Sequence, residues 1–166
     1  MIYWFTGQPG HGKTTLALAL VNQLRRQGYA PFHIDGDDLR KLTTNQDYSR
    51  QGREANIRRA QNIAQYLHAQ EEIVVVSFVS PYREIREELK SATKVTEIYV
   101  HTKEVRGKEE RHVEGYEAPL SHFIDLDTTN KKVPDCVSHI LESAPVPSKE
   151  LKTLDKRKTL AVDFDG

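Results

Sequence analysis

An apolar run, Ile2 to Thr6, leads into Gly7-Gln8-Pro9-Gly10-His11-Gly12-Lys13-Thr14, and an amphipathic stretch follows from Lys13. The eight residues match G-x-x-x-x-G-K-[ST] in full, with a strand before and a helix after. Few folds can use such a loop. Its glycines let backbone N–H groups turn inward around an anion. The helix behind it adds unpaired amides and the positive end of its dipole. Lys13 suits the β- and γ-phosphates, and the Thr14 hydroxyl suits Mg²⁺. The expected nucleoside triphosphate site comprises Gly7, Gln8, Pro9, Gly10, His11, Gly12, Lys13, Thr14 and Thr15. Gln8 and His11 occupy variable positions of the pattern, and His11 reads as a spectator.

The rest of the chain alternates in the same sense. Apolar strands are expected at Ile2–Thr6, Pro31–Ile34, Ile73–Val79, Val95–Val100 and Phe123–Asp127. Helices are expected from Lys13 to Gly28, Arg53 to Gln70, Ser80-Pro81 to Lys90, and Pro134 to Ser143. Ser80 reads as the cap of its helix, with Pro81 at the first helical position. Residues 36–52 and 103–121 are polar and show no period. This order predicts an α/β, P-loop NTPase fold: a mostly parallel five-stranded sheet with helices on both faces. Ligands then sit at the carboxyl ends of the strands.

Composition narrows the partners. Twenty-four basic and 24 acidic residues give a formal net charge of zero. That argues against bulk nucleic acid or an anionic membrane held by diffuse charge. The single cysteine, Cys136, cannot form an intrachain disulfide, which fits a reducing, cytoplasmic setting. No apolar run nears the roughly 20 residues of a spanning helix, and "MIYWFTG" does not read as a signal peptide.

Three classes of phosphate-loop protein remain: small-molecule kinase, switch GTPase or motor, and nucleotide-binding module without chemistry. No N-K-x-D base-reading motif is present, against a GTPase. The third strand ends "VVVSFVSPYR", without the acidic residue of motor ATPases. The carboxylates must come from "DGDD", Asp35 to Asp38, where small kinases place an acceptor-activating Asp; a plain polar turn is the bland alternative. The apolar stripe Ile57–Ala60–Ala64–Leu67, extended one turn back, reaches Arg53 with Asn56 beside it. A guanidinium and an amide on the core-facing side suit an anion and hydroxyl site, or simply snorkel at the core's edge. Arg40 would add a second guanidinium. Tyr48 could stack on a base or pack as an ordinary loop residue.

Taken together, these segments resemble the adenylylsulfate kinase family. "WFTGQPGHGKTT" resembles its strand and phosphate loop, "DGDDLR" its D-G-D-N-[VI]-R, and "REANIRR" its R-x-E-N-I-R-R. "FVSPYRE", "GYEAP" and "FIDLDTT" resemble its F-I-S-P-[YF]-R, [YF]-E-x-P and last strand. The likeness runs in order over residues 2–142. It implies transfer of the γ-phosphate of Mg·ATP to the 3′-hydroxyl of adenylyl sulfate. It further implies Asp37 as general base, with Lys13 on the transferred group, and Asp35 with Thr14 at the metal. Arg40, Arg53 and Asn56 would grip the acceptor's phosphosulfate and ribose. Tyr48 would stack on its base, and Val79 and Ser80 would line its pocket through backbone atoms.

The chain departs from that pattern in the lid. Between "HT" and "YEAP" stands only "KEVRGKEERHVEG", and the family's K-G-L-Y-like and F-T-G-I-like pieces are missing. The trimming predicts weak transfer to adenylyl sulfate and better transfer to another small nucleotide-linked acceptor. A homodimer is compatible with the reading.

Finally, "APVPSKELKTLDKRK" reads as a linker, residues 144–158, after a kinase domain spanning residues 1–143. The closing "KTLAVDFDG" resembles the first motif of haloacid-dehalogenase-type phosphatases. Residues 159–166 would then begin a fused phosphatase domain, with Asp163 and Asp165 idle in this chain. Such a fusion keeps a polynucleotide-end kinase as the alternative function, beside a non-catalytic nucleotide-binding module.

Overall fold

The structure, a computed structural model, describes residues 1–147. Five strands, β1 (Ile2–Thr6), β2 (Phe32–Asp35), β3 (Val74–Ser77), β4 (Val95–His101) and β5 (Ile124–Asp127), form one sheet. Its order is β2-β3-β1-β4-β5, and every neighbouring pair is parallel. The helices are α1 (Lys13–Arg26), α2 (Gly36–Thr43), α3 (Arg50–Ala69), α4 (Arg83–Ala92) and α5 (Val133–Ser143). This is the α/β, P-loop arrangement that the strand–helix alternation predicts.

β1 shows why the sheet is two-sided. All five of its residues are buried, and successive side chains point to opposite faces. Tyr3 and Phe5 pack with Leu16, Leu20 and Leu24 of α1 and Val137 and Ile140 of α5. Ile2 and Trp4 pack with Leu39 of α2, Ile57 and Ala60 of α3, and Ile85 and Leu89 of α4. Each large apolar side chain buried this way contributes roughly 1.5–3 kcal/mol. β1 is thus anchored on both faces, so the loop after it starts from a rigid point.

Three local expectations are corrected. Residues 36–52 are not a featureless loop, because α2 begins directly at Gly36. The Asp35 side chain accepts from the Asp37 amide as its cap, and Asp37 and Asp38 lie in the first turn, where the helix dipole favours negative charge. Only Leu39 of α2 is buried, so no apolar period announced the helix. α3 starts at Arg50, not Arg53, because Ser49 caps it through a bond from the Gly52 amide. α4 starts at Arg83, so Ser80 is not its cap and Pro81 is not its first residue. Ser80 instead has a left-handed backbone (φ 45°) and is 1% exposed. The Glu117 carboxylate accepts from the Arg83 amide at the start of α4.

Among the described residues, no helix is long and apolar enough to cross a membrane. Past α5 the chain still touches the core: Tyr3 Oη donates to the Ala144 carbonyl (2.6 Å), and Tyr29 Oη to that of Pro147 (3.1 Å). Residues 148–158 of the expected linker and the "DFDG" motif with Asp163 and Asp165 lie outside the described residues.

Candidate active site

The loop after β1 is shaped by two glycines. Gly12 has φ +98° and stands immediately before α1, a backbone that other residues rarely adopt. At Gly7 a Cβ would come within 2.3 Å of the Val100 carbonyl oxygen, so the loop can leave the sheet there only without a side chain. Between them Lys13 folds back and donates to the Gln8 carbonyl (2.9 Å). The residue is 8% exposed, and burial pushes its pKa from 10.5 down to about 8, against the pull of Asp35 and Asp37. The Lys108 cation pushes in the same direction as burial.

The carboxylates arrive from β2 by register. Asp35, the last residue of β2, pairs with Ser77 of β3, which in turn pairs with Phe5 of β1. That puts Asp35 beside the phosphate loop: its Oδ1 accepts from Thr14 Oγ1 (2.9 Å) and Ser77 Oγ (2.7 Å), its Oδ2 from the Asp37 amide (3.2 Å). Asp37, one helical residue on, is exposed. Hydroxyl and carboxylate oxygens side by side are the hard donors Mg²⁺ prefers. No group of three or more His, Cys, Asp or Glu among the described residues could hold a metal ion by itself. The residues therefore fit an ion shared with phosphate oxygens, as Mg²⁺ commonly is.

A cleft of about 630 Å³ opens from this point, and it joins Lys13, Thr14, Asp35 and Asp37 to Arg40, Tyr48, Arg53, Asn56, Val79 and Ser80. Asn56 is 2% exposed and its Oδ1 has no hydrogen-bond partner. A buried, unpaired amide oxygen costs about 1–3 kcal/mol unless a ligand supplies a donor. The Arg53 side chain lines the cleft and makes no hydrogen bond or ion pair with the described residues. Arg40 is more committed: its Nη1 donates to the carbonyls of Asn45 and Asp47, and its guanidinium lies 4.3 Å over the Tyr48 ring. Tyr48 remains 60% exposed. Val79 and Ser80 line the cleft, but their carbonyls already accept from Thr6 Oγ1 (2.8 and 3.3 Å). The Ser80 hydroxyl accepts from Trp4 Nε1 (3.0 Å).

The stretch after β4 folds back over the phosphate loop. The Gln8 amide clasps it twice, donating to the Val113 carbonyl (3.0 Å) and accepting from the Val113 amide (2.8 Å). Arg106 donates to the His11 carbonyl (3.1 Å), and the Lys108 side chain packs where a Cβ on Gly10 would sit. His11 meets the edge of His112 (centroids 5.0 Å) and lies outside the cleft. Burial, then the neighbouring cations, push its pKa down.

A family model described as adenylylsulphate kinase matches residues 1–121. The chain belongs to the adenylylsulphate kinase family. An adenylyl-sulfate kinase from Chloroflexus aurantiacus is 36% identical, covering 85% of this chain and 87% of its own. One from Vibrio cholerae is 34% identical, covering 86% and 76%. The APS kinase of Mycobacterium tuberculosis, solved in complex with AMPPNP and APS, shares the fold: TM-score 0.75, 22% identity, 85% of this chain and 95% of that one. The present chain is thus a P-loop kinase, a phosphotransferase that uses ATP.

In this kinase the structure brings into one cleft residues that the sequence spreads from Lys13 to Ser80. It also adds residues that sequence reasoning missed. Phe78 lines the cleft beside Val79 and Ser80, and Lys108, Arg111 and Val113 come from the irregular stretch. Ser77 was legible only as a lone hydroxyl in "IVVVSFV". The two lid cations had no signal beyond their charge.

Proposed function

We propose that this kinase transfers the γ-phosphate of ATP to a ribose hydroxyl of a small, anionic, nucleotide-linked acceptor of the adenylyl sulfate type. The observation that carries the reading is one cleft whose lining joins Asp37 with Lys13 and Thr14 and with Arg53 and Asn56. An exposed carboxylate at the start of α2 suits proton removal from the acceptor hydroxyl. Arg53, with Arg40 behind it, would neutralise the acceptor's anionic group. The buried Asn56 Oδ1 asks for a donor such as a ribose hydroxyl. Tyr48, backed by the Arg40 guanidinium, offers one face to a base.

Lys13 and the loop amides would hold the β- and γ-phosphates and meet the charge that builds on the transferred group. Mg²⁺, when bound beside Thr14 and Asp35, would supply further charge neutralisation. Positioning and charge, more than covalent chemistry, would then account for the rate.

The exposed Tyr48 face and the short lid favour a looser grip on the base than a two-sided sandwich would give. Purified kinase should be assayed for ADP release and for phosphorylated product. The acceptors are adenylyl sulfate, a panel of other adenylyl and nucleotide-linked compounds, and an oligonucleotide with a free 5′-hydroxyl. We expect weak transfer to adenylyl sulfate and better transfer to another nucleotide-linked compound. A Michaelis constant for adenylyl sulfate in the low micromolar range, with no better acceptor, would make the short lid irrelevant. Transfer to the oligonucleotide alone would put a polynucleotide-end kinase in its place, and no transfer at all would leave a nucleotide-binding module.

A further inference from the structure

β2 and β3 carry a pair of polar side chains that the reaction just described does not use. His33 lies two residues before Asp35 on β2, so both project from the same face of the sheet. Ser77 on β3 stands between them: His33 Nε2 is 2.9 Å from Ser77 Oγ, and Ser77 Oγ is 2.7 Å from Asp35 Oδ1. The same Oδ1 meets Thr14 Oγ1 at 2.9 Å. Four side chains from β2, β3 and the phosphate loop therefore form one continuous chain.

The direction of its protons follows from the donor inventory. The Asp35 carboxylate only accepts, so the one proton of the Ser77 hydroxyl points at Asp35. The Ser77 oxygen then has only lone pairs left for His33, so His33 Nε2 must carry a hydrogen. That holds for the imidazole and the imidazolium alike. Ser77 is 2% exposed, and no water competes easily for its hydroxyl. Thr14 likewise gives its proton to Asp35, which leaves its oxygen lone pairs for another partner.

We propose that His33 and Ser77 are positioning residues for the Mg·nucleotide: they lock the Asp35 carboxylate in the rotamer that faces Thr14. The inference rests on the reading of Asp35 and Thr14 as the metal-side pair. Without Ser77, the only side-chain donor to Asp35 among the described residues would be Thr14, and the carboxylate could swing toward the start of α2. Groups that orient a metal's ligands from behind are typically worth 10- to 100-fold in metal affinity or activity.

Two measurements test it. In ¹⁵N-histidine spectra of the free protein, His33 should show a protonated Nε2, and Ser77→Ala should release that preference. In equilibrium binding of a fluorescent ADP, Ser77→Ala and His33→Leu should raise the Mg²⁺ concentration needed for half-saturation about 10-fold. His33→Gln, whose amide N–H can replace Nε2–H, should stay near wild type, as should Ser77→Thr. Turnover at saturating Mg²⁺ should change far less than the Mg²⁺ requirement.

A neutral Nδ1–H tautomer at His33, or an unchanged Mg²⁺ requirement in Ser77→Ala, overturns the proposal. Failure of His33→Gln to rescue, with His33→Leu defective, also overturns it and leaves a packing role. Asp35→Asn separates the two levels. If it too leaves the Mg²⁺ requirement unchanged, the metal-side reading of Asp35 has failed. If it alone raises the requirement, only the His33–Ser77 inference has failed.

Discussion

Burying the Lys13 ammonium costs stability, and replacing the residue with Met should make that cost measurable. Burial lowers its pKa from 10.5 in the unfolded chain to about 8 in the folded one. At about 1.4 kcal/mol per pH unit, that gap is worth roughly 3 kcal/mol. Below about pH 8 both states hold the proton, and the folded state bears the whole cost. Between the two pKa values the unfolded chain holds a proton that the folded chain has released, so stability rises with pH. Above 10.5 neither state is charged and the cost is gone. Met has no such step. Urea unfolding of both proteins, followed by circular dichroism from about pH 7.5 to about pH 10.5, should show wild type gaining roughly 3 kcal/mol on Lys13→Met. Taking the difference at each pH cancels the other lysines and tyrosines. Nucleotide phosphates restore a partner for the ammonium. ADP binding near pH 8 to 9 should therefore take up a proton in wild type but not in Lys13→Met, read by calorimetry in buffers of different ionisation enthalpy. Parallel stability curves would refute the reasoning: the Gln8 carbonyl and the two aspartates would then be holding the folded ammonium fully charged.

Asp37→Asn keeps the shape of the α2 start and removes the proton acceptor; turnover should fall roughly 10²-fold with nucleotide affinity little changed, measured by steady-state kinetics beside ADP binding. Glu97 is almost fully buried, within 2.8 Å of Arg86 Nε and 2.9 Å of Lys90 Nζ, while Arg86 also donates to the carbonyls of Ser80 and Glu117. Glu97→Ala leaves the buried Arg86 without its carboxylate, while Lys90 keeps Glu87 (3.0 Å); it should cost about 3–5 kcal/mol by urea unfolding, whereas a joint change to apolar residues at 86, 90 and 97 should cost much less. Truncation after Ser143 removes the acceptors of Tyr3 and Tyr29 and should lower the melting temperature by several degrees.

Strand–helix alternation around a complete phosphate-loop motif determined the fold class and the ATP site, because both rest on local requirements. Glycines must stand where the backbone turns, and apolar runs must fill buried strands. The aspartates after β2 and the polar start of α3 were legible for a related reason: each interrupts a local pattern, an apolar strand or an apolar stripe. α2 escaped notice because a helix with one buried residue leaves no period to read. Ser80 misled for the opposite reason. Ser-Pro before an amphipathic stretch is a sound cap signal, yet hydrogen bonds from Trp4, distant in the chain, and from Arg86 inside α4 hold it in a buried left-handed bend. Only the tertiary structure decided that the Gln8 side chain clasps the lid, that Lys108 and Arg111 join the cleft, and that Ser77 links His33 to Asp35. Those relations depend on strand register and on the path of an irregular segment, and neither is a property of any short stretch of chain.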